Sequence, residues 1–144
     1  MKRRSTAIWQ GNGAEGKGLL TSTSGVLNNT PYSFTSRFKN EDGLAGTNPE
    51  ELIAAAHSGC YAMALSFALS GAGFVPTELK VEAAVNIEQG AAGFSITGIH
   101  LNLVGDVPGI TPEKFQELAG VAKLNCPVSQ ALKAVSITLE AKLK

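Results

Sequence analysis

A single long helix is the feature of the sequence that most limits how this chain can fold. Thr47 or Asn48 can cap its N-terminus, and Pro49 suits the first helical position, where no backbone N–H is needed. Two glutamates follow and complement the positive end of a helix. Glycine commonly terminates helices, and Gly71 is the first glycine of a pair at the other end. The sequence therefore predicts a helix from Pro49 to about Gly71.

One face of this helix carries only small side chains, which lie three or four residues apart at Ala55, Gly59, Ala62 and Ser66. Small side chains allow a second helix to approach closely. The other candidate helix of any length, at residues 112–124, is shorter. We therefore expect the long helix to be buried, with a second copy of itself from a partner subunit as the natural packing partner.

The remaining elements are predicted to be mostly strands. Strands are expected at residues 6–10, 18–23, 32–38, 78–89, 93–104 and 135–142, and short helices at residues 112–124 and 128–133. Residues 89–92 form a hairpin turn. Strands cluster rather than alternate with helices in the order βββ-α-ββ-αα-β, which indicates one α+β domain over residues 1–144 with a mostly antiparallel sheet.

Composition argues against several classes of function. Twelve basic and twelve acidic side chains give a formal net charge of zero, so the chain lacks the electrostatic footprint of a protein that binds nucleic acid or anionic membrane. Residues 1–4 include three basic side chains, but the apolar segment of a secretory signal does not follow. The apolar stretch at residues 52–74 contains His57, Ser58 and several glycines, and we judge it too polar for a membrane span. We expect a soluble, cytoplasmic protein.

The two cysteines are the first candidates for chemistry, because in a reducing compartment they are more often free thiols, a redox pair or metal ligands than a structural disulfide. Cys60 falls in mid-helix, where the helix dipole gives a thiolate no support, and it can equally be a small buried hydrophobe. Cys126 precedes Pro127 and a short helix, a position that lowers a thiol pKa. Local sequence alone thus favours Cys126 as the nucleophile, although it can also be an ordinary loop cysteine.

Other side chains give weaker signals. His57 lies three residues before Cys60 and, with Cys126, could supply three zinc ligands, but there is no CxxC pair, and a packed, hydrogen-bonded histidine is the simpler interpretation. Ser66 and Ser129 have no nearby histidine and no glycine elbow, so a serine hydrolase is not indicated.

Three charged residues also have ordinary structural explanations. In the third predicted strand, alternation places Arg37 opposite an aromatic face, as a surface residue. Glu50 and Glu51 are explained by charge compensation at a helix N-terminus. By themselves these residues predict no activity.

A family resemblance changes this assessment. It is carried by residues 46–53 (GTNPEELI), 55–60 (AAHSGC) and 125–129 (NCPVS). Together these segments resemble the OsmC/Ohr family of osmotically inducible and organic hydroperoxide resistance proteins. Residues 24–28 (SGVLN), with the pairs at 31–32 (PY) and 37–38 (RF), are similar to the OsmC branch in particular.

The resemblance implies a thiol-dependent peroxidase that reduces organic hydroperoxides and, more weakly, hydrogen peroxide in oxidative or osmotic stress defence. Cys60 matches the attacking cysteine, Cys126 the resolving one, Arg37 the arginine that holds the attacking thiolate, and Glu50 its carboxylate partner, with Glu51 as the neighbouring alternative. This order reverses the choice of nucleophile made from local sequence.

The resemblance further implies an intertwined homodimer whose sheets wrap around two long central helices. It implies no metal and no organic cofactor, and a dithiol reductant such as a lipoyl group. Four apolar residues are candidates to line a site for alkyl peroxides: Phe38, Phe67, Leu69 and Phe74. Two other functions remain open, a redox sensor that reacts once with oxidant and a thiolate–histidine metal protein.

Overall fold

A computed structural model describes residues 1–39 and 46–144 of the chain. Its elements in chain order are β1 (Ser5–Gln10), β2 (Lys17–Ser22), β3 (Thr30–Ser33), α1 (Phe34–Phe38), α2 (Pro49–Gly71), β4 (Glu78–Gly90), β5 (Gly93–Asp106), α3 (Pro112–Asn125), α4 (Pro127–Ala131) and β6 (Ser136–Leu143). They divide into two compact units, Met1–Leu52 and Ile53–Lys144. The predicted α+β class is confirmed. Residues 40–46 are polar and glycine-rich, and the sequence predicts a loop there, but apart from Gly46 they lie outside the described residues.

The first unit is built on an antiparallel sheet in the order β1-β2-β3. Gly18 lies between Trp9 and Tyr32 in this sheet, and the two rings meet across it with their centroids 5.3 Å apart. A Cβ at position 18 would lie 2.1 Å from the Tyr32 ring, so only glycine lets that ring lie flat against the strand. The sheet thereby presents an aromatic surface.

The third strand is shorter than predicted, and Arg37 does not lie on it. After Ser33 the chain turns into α1, because the Ser33 hydroxyl accepts a hydrogen bond from the Ser36 N–H while the Ser36 hydroxyl accepts one from the Ser33 N–H. This reciprocal pair is a capping box, a helix-start signal that outweighs the alternation of residues 32–38. The prediction of a strand through Phe38 was therefore wrong, and Arg37 projects from a short helix.

The start of α2 is tied to β3. Gly46 has a φ of +90° and approaches Pro31 so closely that a Cβ would lie 2.3 Å from the Pro31 carbonyl oxygen. The next residue, Thr47, donates its backbone N–H to the same oxygen at 3.1 Å. The helix then runs from Pro49 to Gly71, the bounds that the sequence predicted.

The second unit contains a sheet in the order β4-β5-β6. β4 and β5 form a hairpin around Ala91 and Ala92, in the turn region predicted from the sequence. β6 pairs in parallel with β5, because α3 and α4 carry the chain back across the sheet before it begins. In the part of the chain that the structure describes, three of the four strand pairings are antiparallel, as expected.

The core of this unit lies where α2 and α3 pack with β5. Its fully buried residues include Tyr61, Leu65 and Leu69 from α2, Leu101 and Leu103 from β5, and Phe115 and Ala119 from α3. One face of α2 therefore belongs to the hydrophobic core.

The face of α2 with small side chains is only partly covered by the described residues of the chain. Ala55 and Gly59 are exposed, Ala62 and Ser66 are half-buried, and a Cβ added at Gly59 would meet no atom of the structure within 4 Å. The expectation that a helix packs on this face is thus not met within one chain.

By length and composition, α2 could also cross a membrane. Its most apolar 18-residue window has a mean hydropathy of 1.5, and 22% of that window is buried within the chain. The sequence prediction that this stretch is too polar to span a membrane is therefore not supported by hydropathy. The core helix of a soluble protein meets the same criteria, and the full burial of Tyr61, Leu65 and Leu69 shows that α2 packs as a core element on one side.

Candidate active site

Two thiols 66 residues apart in sequence meet in the second unit. The Sγ atoms of Cys60 and Cys126 lie 3.1 Å apart, and both cysteines are free. Cys60 is half-buried on α2, whereas Cys126 is fully buried at the junction of α3 and α4. At this distance the two sulfur atoms can share one proton, so their ionisation is linked.

The position of Cys126 follows from the residue after it. The ring of Pro127 sterically disfavours the helical conformation for the residue before it, and Cys126 is accordingly extended, with φ −60° and ψ 121°. Its N–H still bonds to Ala122 O at 2.9 Å and closes α3, while its carbonyl accepts from the Gln130 N–H at 3.0 Å and opens α4. The predicted placement of Cys126 at the start of a short helix is correct.

The surroundings of the two sulfur atoms favour opposite protonation states. Burial alone raises the pKa of the Cys126 thiol, but hydrogen bonds from the Ser129 N–H, from Cys60 and from the Ser129 hydroxyl outweigh burial and lower that pKa. Burial raises the pKa of Cys60, and its hydrogen bond to Cys126 raises it further. Within this unit the negative charge therefore rests more readily on Cys126, as the local sequence argument proposed.

An apolar groove of about 710 Å³ opens beside Cys60. Its lining residues are Cys60, Met63, Ala64, Phe67, Ala68, Asn125 and Pro127. Three of the four apolar residues predicted to line a substrate site lie in this unit, and of these Phe67 lines the groove. Leu69 is in the core, Phe74 packs against it, and Phe38 belongs to the first unit.

Behind the thiols lies a contact that sequence reasoning missed. His57 Nε2 and Ser129 Oγ are 2.8 Å apart, and both residues are buried. The statement that Ser129 has no nearby histidine was therefore wrong, because 72 residues separate the two in sequence. A hint was available in the sequence: His57 is three residues before Cys60 and Ser129 three after Cys126, so each can lie beside its cysteine on a helix.

The other two predicted site residues form a pair in the first unit. Arg37 donates from Nε to Glu50 Oε2 at 3.1 Å and from Nη2 to Glu50 Oε1 at 2.5 Å. The Arg37 guanidinium also stacks 4.7 Å from the Phe38 ring centre. Glu51 instead accepts a hydrogen bond from the Thr47 hydroxyl at 2.6 Å, so the carboxylate that pairs with Arg37 is that of Glu50.

Arg37 also borders a small pocket of about 120 Å³, lined by Trp9, Gly13, Tyr32, Ser33, Phe34, Arg37, Phe38 and Pro49. The aromatic surface of the first sheet thus supplies one wall beside the guanidinium. In residues 1–39 and 46–144, no group of three or more His, Cys, Asp or Glu side chains is arranged to hold a metal ion.

Comparison with known proteins identifies the class to which this fold and these thiols belong. The family model described as OsmC-like protein matches residues 40–140, and the chain belongs to this family. It is 48% identical over 142 residues to Peroxiredoxin OsmC of Escherichia coli (strain K12), covering 99% of this chain and 96% of that protein.

A more distant relative is the Organic hydroperoxide resistance protein OhrB of Bacillus subtilis (strain 168), 30% identical over 127 residues, which are 87% of this chain and 89% of that protein. The crystal structure of that protein superposes with a TM-score of 0.68 at 27% identity, covering 98% of each chain. The identities of 48% and 30% agree with the resemblance to the OsmC branch.

Proposed function

We propose that this protein is a thiol-dependent peroxidase that reduces organic hydroperoxides, with Cys60 as the attacking and Cys126 as the resolving cysteine. The observation that carries the proposal is the 3.1 Å contact between two free thiols, one of which borders an apolar groove. The names of the relatives, a peroxiredoxin and an organic hydroperoxide resistance protein, support the peroxidase class.

Accessibility favours Cys60 as the attacking residue. Cys60 is half-buried and lines the groove, whereas Cys126 is fully buried behind it. A hydroperoxide in the groove therefore meets Cys60 first. The Cys60 thiolate attacks the distal peroxide oxygen, the O–O bond breaks, the alkoxide takes up a proton and leaves as an alcohol, and Cys60 becomes a sulfenic acid.

Resolution follows with little movement. A disulfide bond is about 2.05 Å long, so the two sulfur atoms need approach by only about 1 Å from their 3.1 Å separation. The Cys126 thiolate attacks the sulfenic sulfur, the S–S bond forms, and hydroxide leaves with a proton as water. Rapid disulfide formation protects Cys60 from irreversible oxidation.

Ionisation of Cys60 requires a cation that the second unit does not provide in its described contacts, because the pKa of Cys60 there is raised. We assign this task to Arg37, with Glu50 fixing the guanidinium through its two hydrogen bonds. A guanidinium at the Cys60 sulfur would stabilise the thiolate and reverse the order of ionisation of the two thiols.

A homodimer is part of the proposal. No described residue packs over Gly59 on the small-residue face of α2, and Met63 and Phe67 beside it are 61% and 73% exposed. Large apolar surfaces of this kind in soluble proteins are usually interfaces. Packing α2 against its copy would cover this face and narrow the groove at Cys60.

The reductant and the cellular compartment are proposed from the sequence alone. The disulfide is returned to two thiols by a dithiol, for which a lipoyl group is a candidate, and the protein works in the cytoplasm, where such reductants maintain thiols.

Peroxidase kinetics on cysteine variants test the proposal. Cys60→Ser should abolish turnover of cumene hydroperoxide with a dithiol reductant, whereas Cys126→Ser should still form one sulfenic acid per chain, detected by dimedone labelling and mass spectrometry. Steady turnover also separates a peroxidase from a redox sensor, which would react once and stop. Full activity of Cys60→Ser would refute the assignment.

A further inference from the structure

A buried histidine and serine lie directly behind Cys126 and take no part in the peroxidase steps described above. His57 has no exposed surface and Ser129 is 6% exposed. His57 Nε2 and Ser129 Oγ are 2.8 Å apart. Ser129 is the third residue after Cys126 in the helix that Cys126 opens, and its hydroxyl lowers the pKa of the Cys126 thiol. The other ring nitrogen, His57 Nδ1, is buried with no hydrogen-bond partner among the residues that the structure describes.

The positions of the protons between His57, Ser129 and Cys126 follow from which of their atoms can donate and which can accept a hydrogen bond. A thiolate only accepts, so the single hydroxyl proton of Ser129 points toward Cys126 when that sulfur is ionised. Ser129 Oγ must then accept from His57, which therefore carries its proton on Nε2. The opposite tautomer would leave a buried N–H at Nδ1 without an acceptor in the described chain, the costlier of the two arrangements. Burial lowers the pKa of His57, so the ring is neutral and holds one proton at neutral pH.

We propose that His57 is a positioning residue for the redox cycle: its Nε2–H donates to Ser129 and thereby fixes the Ser129 hydroxyl in the orientation that stabilises the Cys126 thiolate. This inference rests on the proposed function, because Cys126 needs to be a thiolate only if it resolves an oxidised Cys60.

The thiolate is needed twice in that cycle. In resolution it is the nucleophile that attacks the Cys60 sulfenic acid and releases water. In reduction the accessible sulfur of the disulfide is that of Cys60, since Cys126 is fully buried. A thiolate of the dithiol reductant attacks Cys60, the S–S bond breaks, and Cys126 departs with the electron pair. The second thiol of the reductant then displaces Cys60. A leaving group of lower pKa departs faster, so the same hydrogen bond from Ser129 assists both steps.

Among residues 1–39 and 46–144, two other ionisable side chains interact with Cys126. Cys60 shares the proton of the pair, and Tyr61 interacts electrostatically with Cys126 while its hydroxyl donates to Ala119 O at 3.1 Å. Ionisation of Cys126 is therefore best measured with Cys60 replaced by serine and below the pH range in which tyrosines ionise.

The test is a titration of Cys126 in the Cys60→Ser protein, followed by thiolate absorbance at 240 nm between pH 4 and about 8.5, where ordinary tyrosines remain protonated. Ser129→Ala should raise the Cys126 pKa by about one unit. At a fixed pH below the pKa of both proteins, the fraction of Cys126 present as thiolate should then fall about tenfold. His57→Leu should raise it in the same direction. His57→Gln, whose amide N–H can replace Nε2–H, and Ser129→Thr, which keeps the hydroxyl, should restore it.

A matched control exists on the opposite side of this unit. His100 Nδ1 and Thr138 Oγ1 also lie 2.8 Å apart, but on the exposed face of β5 and β6. His100→Leu and Thr138→Ala should leave the titration of Cys126 unchanged. Circular dichroism checks folding, and His57→Asn, whose shorter amide cannot reach Ser129, replaces His57→Leu if that variant does not fold.

The proposal is overturned if the non-donor variant at position 57 and His57→Gln give the same Cys126 pKa, or if Ser129→Ala leaves the pKa unaltered. The titration uses no peroxide, so its outcome is separate from that of the peroxidase proposal, which fails if wild-type protein forms no Cys60 sulfenic acid. With Cys60 present, Ser129→Ala should prolong the lifetime of the dimedone-reactive species without slowing its formation.

Discussion

Arg37 and Glu50 are joined by two parallel hydrogen bonds, from Nε at 3.1 Å and from Nη2 at 2.5 Å, across thirteen residues of sequence. The side chains are 34% and 10% exposed, so the pair is only partly screened by water. A bidentate contact fixes the plane of a guanidinium as well as its position. It thereby prepares the remaining N–H groups of Arg37 to bind a second anion in a defined direction.

Replacement of Arg37 tests whether that second anion is the Cys60 thiolate. Arg37→Met should lower kcat/KM for cumene hydroperoxide by about 10² to 10³, the usual effect of losing one electrostatic stabiliser of a reacting group. Arg37→Lys should recover little, because an ammonium cannot make the two-pronged contact with Glu50. Arg4→Met, at an exposed arginine of the same unit, is the control. Wild-type kinetics in Arg37→Met would exclude this role.

The groove beside Cys60 predicts a preference for bulky peroxides. Phe67 is 73% exposed and lines the groove, so Phe67→Ala should reduce kcat/KM for cumene hydroperoxide roughly tenfold through lost apolar contact. Hydrogen peroxide makes no such contact, and its kcat/KM should not change. Phe94→Ala, at another exposed phenylalanine outside the groove, provides the comparison. Equal losses with both peroxides would argue against a groove that selects alkyl groups.

Gly59 predicts where two subunits meet. Because a Cβ at this position meets no atom of the described residues, Gly59→Leu should leave the fold intact and even favour α2 by about 1 kcal/mol through helix propensity. If α2 packs against its copy, the same change should weaken the dimer, measured as a shift to monomer in sedimentation equilibrium. Gly71→Leu is matched, since a Cβ there also meets nothing, but it lies off the small-residue face. An unaltered dimer in Gly59→Leu would place the interface elsewhere.

Tyr61 should lower the stability of the fold as the pH rises into the alkaline range. Burial raises the pKa of this fully buried tyrosine, and the nearby Cys126 raises it further. In the unfolded chain a tyrosine ionises near pH 10. Above that pH the unfolded state loses a proton that the folded state keeps, so unfolding becomes more favourable as pH rises. The contribution should be about 1.4 kcal/mol between pH 9 and pH 11.

Urea unfolding of wild type and Tyr61→Phe at these two pH values isolates this contribution, because all other groups are common to both proteins. Tyr61→Phe should be less stable at pH 9 by about 1 kcal/mol, since the carbonyl of Ala119 loses its donor. That difference should shrink or change sign at pH 11. A difference that does not vary with pH would show that Tyr61 ionises alike in both states.

Features that depend on a few adjacent residues were predicted correctly from the sequence. The bounds of α2 were found because Pro49 begins the helix and Gly71 ends it. The extended conformation of Cys126, which opens α4, follows in the same way from Pro127. These are local steric and hydrogen-bonding rules, and a few adjacent residues suffice to apply them. The pairing of Cys60 with Cys126 came from family resemblance rather than from physics.

The sequence also contains the signal that starts α1, but the strand-like alternation of residues 32–38 led to the wrong prediction. Ser33 and Ser36 form a capping box that can be read directly from their spacing, yet the alternating aromatic residues around them resemble a strand. The capping box and the alternating pattern predict different structures for the same residues, and the hydrogen bonds of the capping box determine the observed one. Arg37 consequently lies on a helix and reaches Glu50 from it.

Local sequence determined the ends of α2, the hairpin turn and the extended conformation of Cys126 at the start of α4. Tertiary structure alone brought His57 to Ser129, Cys60 to Cys126, and β6 into parallel register with β5. These contacts join residues tens of positions apart, and they form because α2, α3 and β5 bury a common core that sets the helices at fixed positions. A residue pattern can propose two partners, but only packing decides whether their side chains meet.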